Sequence, residues 1–206
     1  MAVAAEAFAG KRIVGLTGNI ASGKSAVLSL AREHGALTID ADEVVHDLLN
    51  NDRLLQQAIA EAFGEAMRRP DNRIDRTALG ALVFSNQQAL SQLEQLVHPH
   101  VRQHILARIR ESDAPVVVIE AIKLLEGGLS ALCDEIWVTT CSYDQQLQRL
   151  RICRGMAEEE AVARIRAQSP AEEKVAQADV VIDTNGLLQD TRRQFASAWD
   201  HLLAAS

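Results

Sequence analysis

The sequence predicts an α/β fold built on a five-stranded parallel sheet, and three observations carry that expectation. Short apolar runs of strand length alternate with longer helical stretches along the chain, the pattern of strand–helix–strand units. The run Pro115-Val-Val-Val-Ile-Glu120 is apolar throughout until its last residue, as befits a strand covered on both faces. A glycine-rich turn follows the first run and opens directly into a helical stretch.

Taken in order, Arg12–Thr17 is the first strand, and a helix follows the glycine turn from about Lys24 to Glu33, with Gly35 placed to end it. Ala36–Asp40, Pro115–Glu120, Glu135–Thr140 and Asp179–Asp183 supply four more strands. A final amphipathic helix runs from about Leu188 to Leu203. Between Asp52 and Asp113 the strand pattern stops, and apolar residues recur at three- and four-residue spacing. Leu54, Leu55, Ile59 and Phe63 fit one helical face, and Leu90, Leu93, Leu96 and Val97 another. Ser85 and Gln88 have the spacing of a capping box before the second of these helices. A further helical stretch, about Ser142 to Gln177, is arginine-rich. Both insertions follow a strand and so belong over the carboxyl edge of the sheet, where open α/β sheets take ligands.

Composition bounds the function. With 206 residues, 48% hydrophobic and 24% charged, the chain can bury one sizeable core with a smaller appended lobe and needs no staple. Aromatic residues make up only 3%, so the core is expected to consist of Leu, Val, Ile and Ala. A formal net charge of -7 with no basic run argues against generic nucleic-acid or anionic-membrane binding. Cys133, Cys141 and Cys153 form no CxxC spacing and are read as reduced thiols of a cytoplasmic protein. The opening MAVAAEAFAG contains Glu6 and lacks a basic head, so a short tail is expected there in place of a signal peptide. No apolar run approaches membrane-spanning length. A monomer or weak homo-oligomer is expected.

Chemistry enters at Gly18-Asn-Ile-Ala-Ser-Gly23-Lys24-Ser25, which matches G-x-x-x-x-G-K-[ST] without a gap. Glycines let the backbone curl so that successive N–H groups point at phosphate oxygens. Lys24 brings a positive charge to the β- and γ-phosphates, and the Ser25 hydroxyl is a hard oxygen ligand for Mg²⁺. The loop ends at a helix N-terminus, which favours an anion. Gly18, Asn19, Ile20, Ala21, Ser22, Gly23, Lys24, Ser25 and Ala26 are therefore the expected ATP-binding set. The alternative, a glycine turn that fits by chance, lacks the strand before and the helix after that this sequence supplies.

Two further segments fit a kinase. Ile39-Asp40-Ala41-Asp42 closes the second strand, and an acceptor hydroxyl needs a carboxylate to orient it and take its proton. Extended chain would turn Asp40 and Asp42 to one side; the other reading makes one of them only the N-cap of the next helix. Arg149, Arg151, Arg154, Arg164 and Arg166 lie in the second insertion, where arginines on a mobile lid can neutralise a transferring phosphoryl group. Glu158, Glu159 and Glu160 beside them offer an ordinary solvated helix instead.

These residues together resemble the dephospho-coenzyme A kinase family. Gly15-Leu-Thr-Gly-Asn-Ile-Ala-Ser-Gly-Lys-Ser25 is similar to its extended phosphate loop, with Asn19 and Ala21 where glycines are more usual. Ile39–Asp42, Ile74-Asp75-Arg76 with Leu79, Val83-Phe84, Leu93-Glu94 with His98-Pro99, Gln146 to Arg149, Arg154-Gly155, Gln168, Lys174, Ala178-Asp179 and Asn185-Gly186 follow in matching order. The resemblance spans Ile13 to about Gly186. It implies a P-loop nucleotide-kinase core of three α/β/α layers, a helical substrate domain and a helical lid. It implies bounds of 11–50, 115–141 and 178–206 for the core, 51–114 for the coenzyme-binding domain and 142–177 for the lid. The implied reaction phosphorylates the 3′-hydroxyl of dephospho-coenzyme A with ATP and Mg²⁺, the last step of coenzyme A synthesis. Carried over, Lys24 and Ser25 hold ATP and metal, Asp42 is the catalytic carboxylate, and Arg149 and Arg154 are lid arginines. Asn185 lies near the adenine, and Asp75, Arg76 and His98 belong to the acceptor side.

One stretch departs from the family. After the third strand the family reads Pro-Leu-Leu and then an acid two positions on, whereas Glu120-Ala-Ile-Lys123-Leu-Leu-Glu126 has lysine for proline and the acid one residue early. Lys123 either contacts a substrate phosphate or is a surface lysine, and Glu120 either assists at the metal or is structural. His98 either closes a helix before Pro99 or contacts the acceptor. The remaining histidines, His34, His46, His100, His104 and His201, are read as surface or packing residues. Another P-loop small-molecule or nucleoside monophosphate kinase is the alternative, with acceptor recognition in the helical domain.

Overall fold

The computed structural model describes Phe8 and residues 10–204. Most of the tail expected over residues 1–10 lies outside the described residues; Phe8 itself is buried, and its carbonyl accepts the Lys11 N–H at 2.9 Å. Five strands, β1 (Arg12–Thr17), β2 (Leu37–Asp40), β3 (Val116–Glu120), β4 (Glu135–Thr140) and β5 (Val180–Asp183), form one sheet in the order β2-β3-β1-β4-β5. Parallel ladders set Arg12 opposite Val116, Val14 opposite Glu135 and Trp137 opposite Val180. Winding reverses at β1, so the crevice of the sheet opens at the carboxyl end of that strand. The glycine turn begins there.

Helices α1 (Lys24–Glu33) and α9 (Leu188–Ala204) cover one face of the sheet. Val27, Leu30 and Ala31 of α1 pack with Phe195, Trp199 and Leu202 of α9 over Val14, Leu16 and Trp137. The expectation of a purely aliphatic core is corrected here. Phe195 stacks on Trp199 at 5.4 Å between centroids and meets Trp137 edge-on at 5.8 Å. Three of the seven Phe, Trp and Tyr residues are thus buried together, each worth about 1.5–3 kcal/mol by burial. His34 does pack, edge-on to Phe195 at 5.1 Å. At the amino edge, Asp134 and Asp179 each accept a neighbouring strand's N–H, from Ile13 and Ile136, both at 2.7 Å. Helices α6 (Tyr143–Arg154), α7 (Glu158–Arg166) and α8 (Ala171–Val175) lie between β4 and β5 in the chain.

Residues 40–111 form a compact unit of their own, and residues up to 39 with 112–206 form the other. The helical unit comprises α2 (Ala41–Asn51), α3 (Arg53–Phe63), α4 (Arg76–Ser85) and α5 (Gln87–Glu111). Its first helix, α2, packs against α3 and α5. Four successive helices are capped by acid or amide side chains: Asp40, Asp52, Asp75 and Asn86 each accept two N–H groups of the turn that follows. Three expectations change accordingly. Ser85 caps nothing; it ends α4, its hydroxyl bonds back to Ala81 and Leu82, and Asn86 caps α5. Leu54 falls off the apolar face at 74% exposure, while Leu55 and Ile59 are fully buried. His98 closes no helix, since α5 runs through Pro99. The proline removes one backbone bond, and the buried stripe Val97, Val101, Ile105 and Ile109 outweighs that loss.

Asp52 does more than cap. Its second oxygen lies 2.6 Å from His100 Nδ1 on α5, joining two helices. Burial pushes this carboxyl up, but the N–H groups of Leu55 and Leu54 and the imidazole of His100 outweigh that and hold it below its ordinary 3.8. A carboxyl lowered by folding stabilises above its unfolded pKa, and that contribution disappears as pH falls through the folded value. Asp52→Ala is therefore expected to cost about 1 kcal/mol or more at neutral pH. The difference from wild type should shrink below 3.8, which urea denaturation over a pH series reads directly.

Candidate active site

The turn after β1 is a phosphate loop held open from all sides. Gly18 has φ +147° and Gly23 has φ +94°, both outside the range of ordinary residues. A Cβ at Gly18 would stand 2.5 Å from the carbonyl of Thr139, and one at Gly23 would stand 2.8 Å from the side chain of Thr184. Gly23 offers α1 no side-chain cap, and the first turn of that helix carries no acid. An anion is the natural complement of such a helix start.

The outward-facing carbonyls of the loop show how its shape is kept. Lys24 Nζ donates to Gly18 O at 2.9 Å and Asn19 O at 3.3 Å. Gln146 Nε2 donates to Ile20 O at 2.9 Å, Arg149 Nη1 to Ala21 O at 3.0 Å, and Thr184 Oγ1 to Ser22 O at 2.8 Å. Five consecutive carbonyls, 18 to 22, are thus satisfied by side chains. The Ile20 N–H also faces outward, to Gln168 Oε1 at 2.7 Å, and Asn19 Nδ2 donates to Ser169 O at 3.0 Å. The Ile20 side chain is buried in an apolar cluster with Leu150 of α6 and Ala161 of α7. Ser22 Oγ meets Thr139 Oγ1 at 2.7 Å, fixing the loop to β4.

Lys24 is nearly buried, with its ammonium 3.8 Å from Glu120 Oε1 at the end of β3. Ser25 and its hydroxyl stand exposed on the first turn of α1. Arg149 is half-buried and, besides Ala21 O, donates to Thr184 Oγ1 at 2.9 Å and Thr184 O at 2.5 Å. Arg154 is exposed at the end of α6. The other arginines of the segment behave as ordinary helix charges, Arg151 with Glu158 at 2.8 Å and Arg164 with Glu160 at 2.9 Å. Asn185 Oδ1 accepts the Ser142 N–H at 2.7 Å. It borders a cavity of about 460 Å³ walled by Cys141, Ala171, Val175 and Ala176. Burial raises the Cys141 thiol here, and it pushes Cys133 up to about 12, so neither thiol supplies a ready thiolate.

In the helical unit, Asp40 is the N-cap of α2 and Asp42 sits exposed on its first turn. The chain is helical from Ala41, which overturns the expectation that Asp40 and Asp42 share one side of an extended segment. Asp75 is the N-cap of α4, and Arg76 Nη2 donates to His46 Nε2 at 2.6 Å. His98 is half-exposed on α5. In the sheet unit, Lys123 is exposed in the turn after β3.

The loop, the sheet order and the three-helix segment over the loop agree with what known proteins show. Residues 12–190 match the family model described as dephospho-CoA kinase. The chain belongs to that family. The dephospho-CoA kinase of Carboxydothermus hydrogenoformans is 42% identical over 185 residues, 88% of this chain and 90% of that protein. Among solved structures, TT1252 from Thermus thermophilus superposes with a TM-score of 0.79 at 33% identity, covering 93% of this chain and 98% of that one. The dephospho-CoA kinase from Campylobacter jejuni superposes with a TM-score of 0.68 at 27% identity, covering 93% and 97%. The P-loop α/β architecture and the transferase class expected from the sequence follow from this membership.

Two residues have a role that reading the motifs alone missed. Thr184 ties Ser22, Thr140 and Arg149 together, one residue after β5. Lys174, buried on α8, donates to Ile122 O at 2.9 Å and Glu126 Oε1 at 3.2 Å, so it secures the departing segment after β3. A lysine buried at 4% exposure in a sequence this polar is not announced by periodicity. Backbone strain supplies the test of the loop. Ala21 stands at φ +57°, so Ala21→Gly should stabilise by about 1 kcal/mol. Gly18→Ala should destabilise by about 2 kcal/mol through a clash with Thr139. Urea unfolding midpoints moving in opposite directions would bear this out; parallel shifts would refute it.

Proposed function

We propose that this chain transfers the γ-phosphoryl group of ATP to the 3′-hydroxyl of dephospho-coenzyme A, giving coenzyme A and ADP in the last step of coenzyme A biosynthesis. The observation that carries this reading is the unbroken phosphate loop Gly18–Ser25, set at the reversal of the sheet in a chain that belongs to the dephospho-CoA kinase family.

In this reading the loop N–H groups and Lys24 hold the β- and γ-phosphates, and Arg149 and Arg154 neutralise the transferring group. Asp42 accepts the proton of the acceptor hydroxyl as that oxygen bonds to phosphorus and the bond to the β-phosphate oxygen breaks. The Asp40 cap supports this role, because it fixes the Asp42 backbone N–H at 2.9 Å and with it the first turn of α2. Asp75, Arg76 and His98 serve the acceptor side, and Lys123 is assigned to acceptor binding as well. Asn185 and the apolar wall of Ala171, Val175 and Ala176 suit an adenine ring. The exposed Ser25 hydroxyl and the Glu120 carboxylate are hard oxygen donors of the kind Mg²⁺ takes, and would hold it. Bound there, the metal would neutralise phosphate charge. Residues 51–114 act as the coenzyme-binding domain and 142–177 as the lid. Among the described residues no helix is long and apolar enough to cross a membrane. We place the enzyme in the cytoplasm, as a monomer or weak homo-oligomer.

The departing segment Glu120–Glu126 is the one observation that favours a different acceptor, and one assay separates the two. ATP consumption with Mg²⁺ should depend on dephospho-coenzyme A and yield coenzyme A. Turnover with AMP, CMP or UMP in its place would move the specificity elsewhere. Lys24→Ala should lower kcat/KM by roughly 10²-fold or more through lost phosphate positioning. Asp42→Asn should retain ATP affinity while kcat falls by roughly 10²- to 10⁴-fold. An equal loss of ATP affinity in both variants would assign Asp42 to the metal instead.

A further inference from the structure

The backbone of Ile20 is gripped on both its N–H and its C=O, which belong to successive peptide groups, from two different places in the 142–177 segment. Gln146 of α6 donates its amide to the Ile20 carbonyl at 2.9 Å. Gln168, in the turn between α7 and α8, accepts the Ile20 N–H at 2.7 Å. Gln146 is buried at 7% exposure and Ile20 at 9%, so water is a poor substitute for either partner. The next residue, Ala21, lies in the left-handed region at φ +57°. A non-glycine residue holds that conformation only when its surroundings impose it.

We propose that Gln146 and Gln168 are positioning residues of opposite polarity that set the phosphate loop for ATP. Gln146 acts only as a donor and Gln168 only as an acceptor toward the Ile20 backbone. With both in place, the two peptide groups flanking Ile20 are fixed, and with them the course of the loop into Ala21. Arg149 continues the same grip at Ala21 O, and Asn19 extends it to Ser169 O at 3.0 Å. Neither glutamine makes contact with a phosphate in this scheme; each acts through the loop backbone. This inference rests on the loop being the ATP site.

Polarity gives the test, because Gln→Glu preserves shape and changes only what the side-chain end can do. At 168, glutamate keeps the accepting oxygen. At 146, it sets a carboxylate against a carbonyl. We would measure ATP–Mg²⁺ binding by calorimetry without acceptor, KM for ATP and for dephospho-coenzyme A, and the melting temperature. Gln168→Ala and Gln146→Ala should each weaken ATP binding about tenfold, the size expected for one lost hydrogen bond to a buried peptide, with KM for dephospho-coenzyme A little changed. Gln168→Glu should recover most of the loss, and Gln146→Glu should bind ATP more weakly than Gln146→Ala. Should Gln146→Glu fail to fold, Gln146→Met, which removes the donor and keeps the bulk, should still show the tenfold loss. Equal behaviour of the two glutamates, or folded alanine variants that bind ATP as wild type does, would overturn the proposal. Wild-type protein that binds no ATP would instead refute the kinase reading.

Discussion

A loop that aims its N–H groups at an anion must aim its carbonyls away from it, and those carbonyls need partners of their own. That constraint organises the sheet unit of this protein. Carbonyls 18 to 22 are met by Lys24, Gln146, Arg149 and Thr184, drawn from α1, α6 and the residue after β5. A buried carbonyl left without a donor costs about 1–3 kcal/mol, so five of them in a row would undo any advantage of a preformed site. The side chains that meet these carbonyls therefore hold the loop's shape through contacts within the chain.

Much of the 142–177 segment follows from the same requirement. The side chain of Ile20 is a core residue of that segment's own apolar cluster, with Leu150 and Ala161. Burial of one isoleucine contributes about 1.5–3 kcal/mol, comparable to the hydrogen bonds around it. Lys174 then ties α8 to the turn after β3 through Ile122 and Glu126. Any motion of this segment is therefore felt by the loop backbone and by the departing turn together. The acid that stands one residue early in the sequence, Glu126, has a partner in Lys174 that accounts for it structurally.

What could be read in advance divides along physical lines. Strands β1 to β5 and helices α1 and α9 were legible because periodicity and glycine placement are local signals, and they fall within a residue or so of the expected bounds. The phosphate loop was legible because its chemistry demands fixed spacing. Its supports were not, since Gln146, Gln168 and Thr184 reach the loop across 126, 148 and 162 residues of chain. Caps were misassigned for a related reason. Ser85 and Asn86 are both good caps, and only the preceding helix, by consuming Ser85, decides between them. Of the two readings left open at His98, helix closure before Pro99 fails because a local penalty of roughly 3 kcal/mol is overridden by a stripe of four buried aliphatic residues.

Lys24 shows how a buried ammonium is held within the loop. Burying an ammonium is expensive unless it is paired and hydrogen-bonded, and Lys24 has both, in Glu120 at 3.8 Å and in the carbonyls of Gly18 and Asn19. Two of these contacts are long, the ion pair at 3.8 Å and the bond to Asn19 O at 3.3 Å, and Asn19 O also accepts the Ser22 N–H at 3.1 Å. An arriving triphosphate offers a stronger, charge-assisted acceptor, so the amine can exchange partners with little rearrangement of the backbone. The carbonyl of Asn19 keeps the Ser22 N–H when it does. A lysine held this way is paired well enough to be buried and loosely enough to be captured, which is what a phosphate-binding lysine at the base of a preformed loop requires.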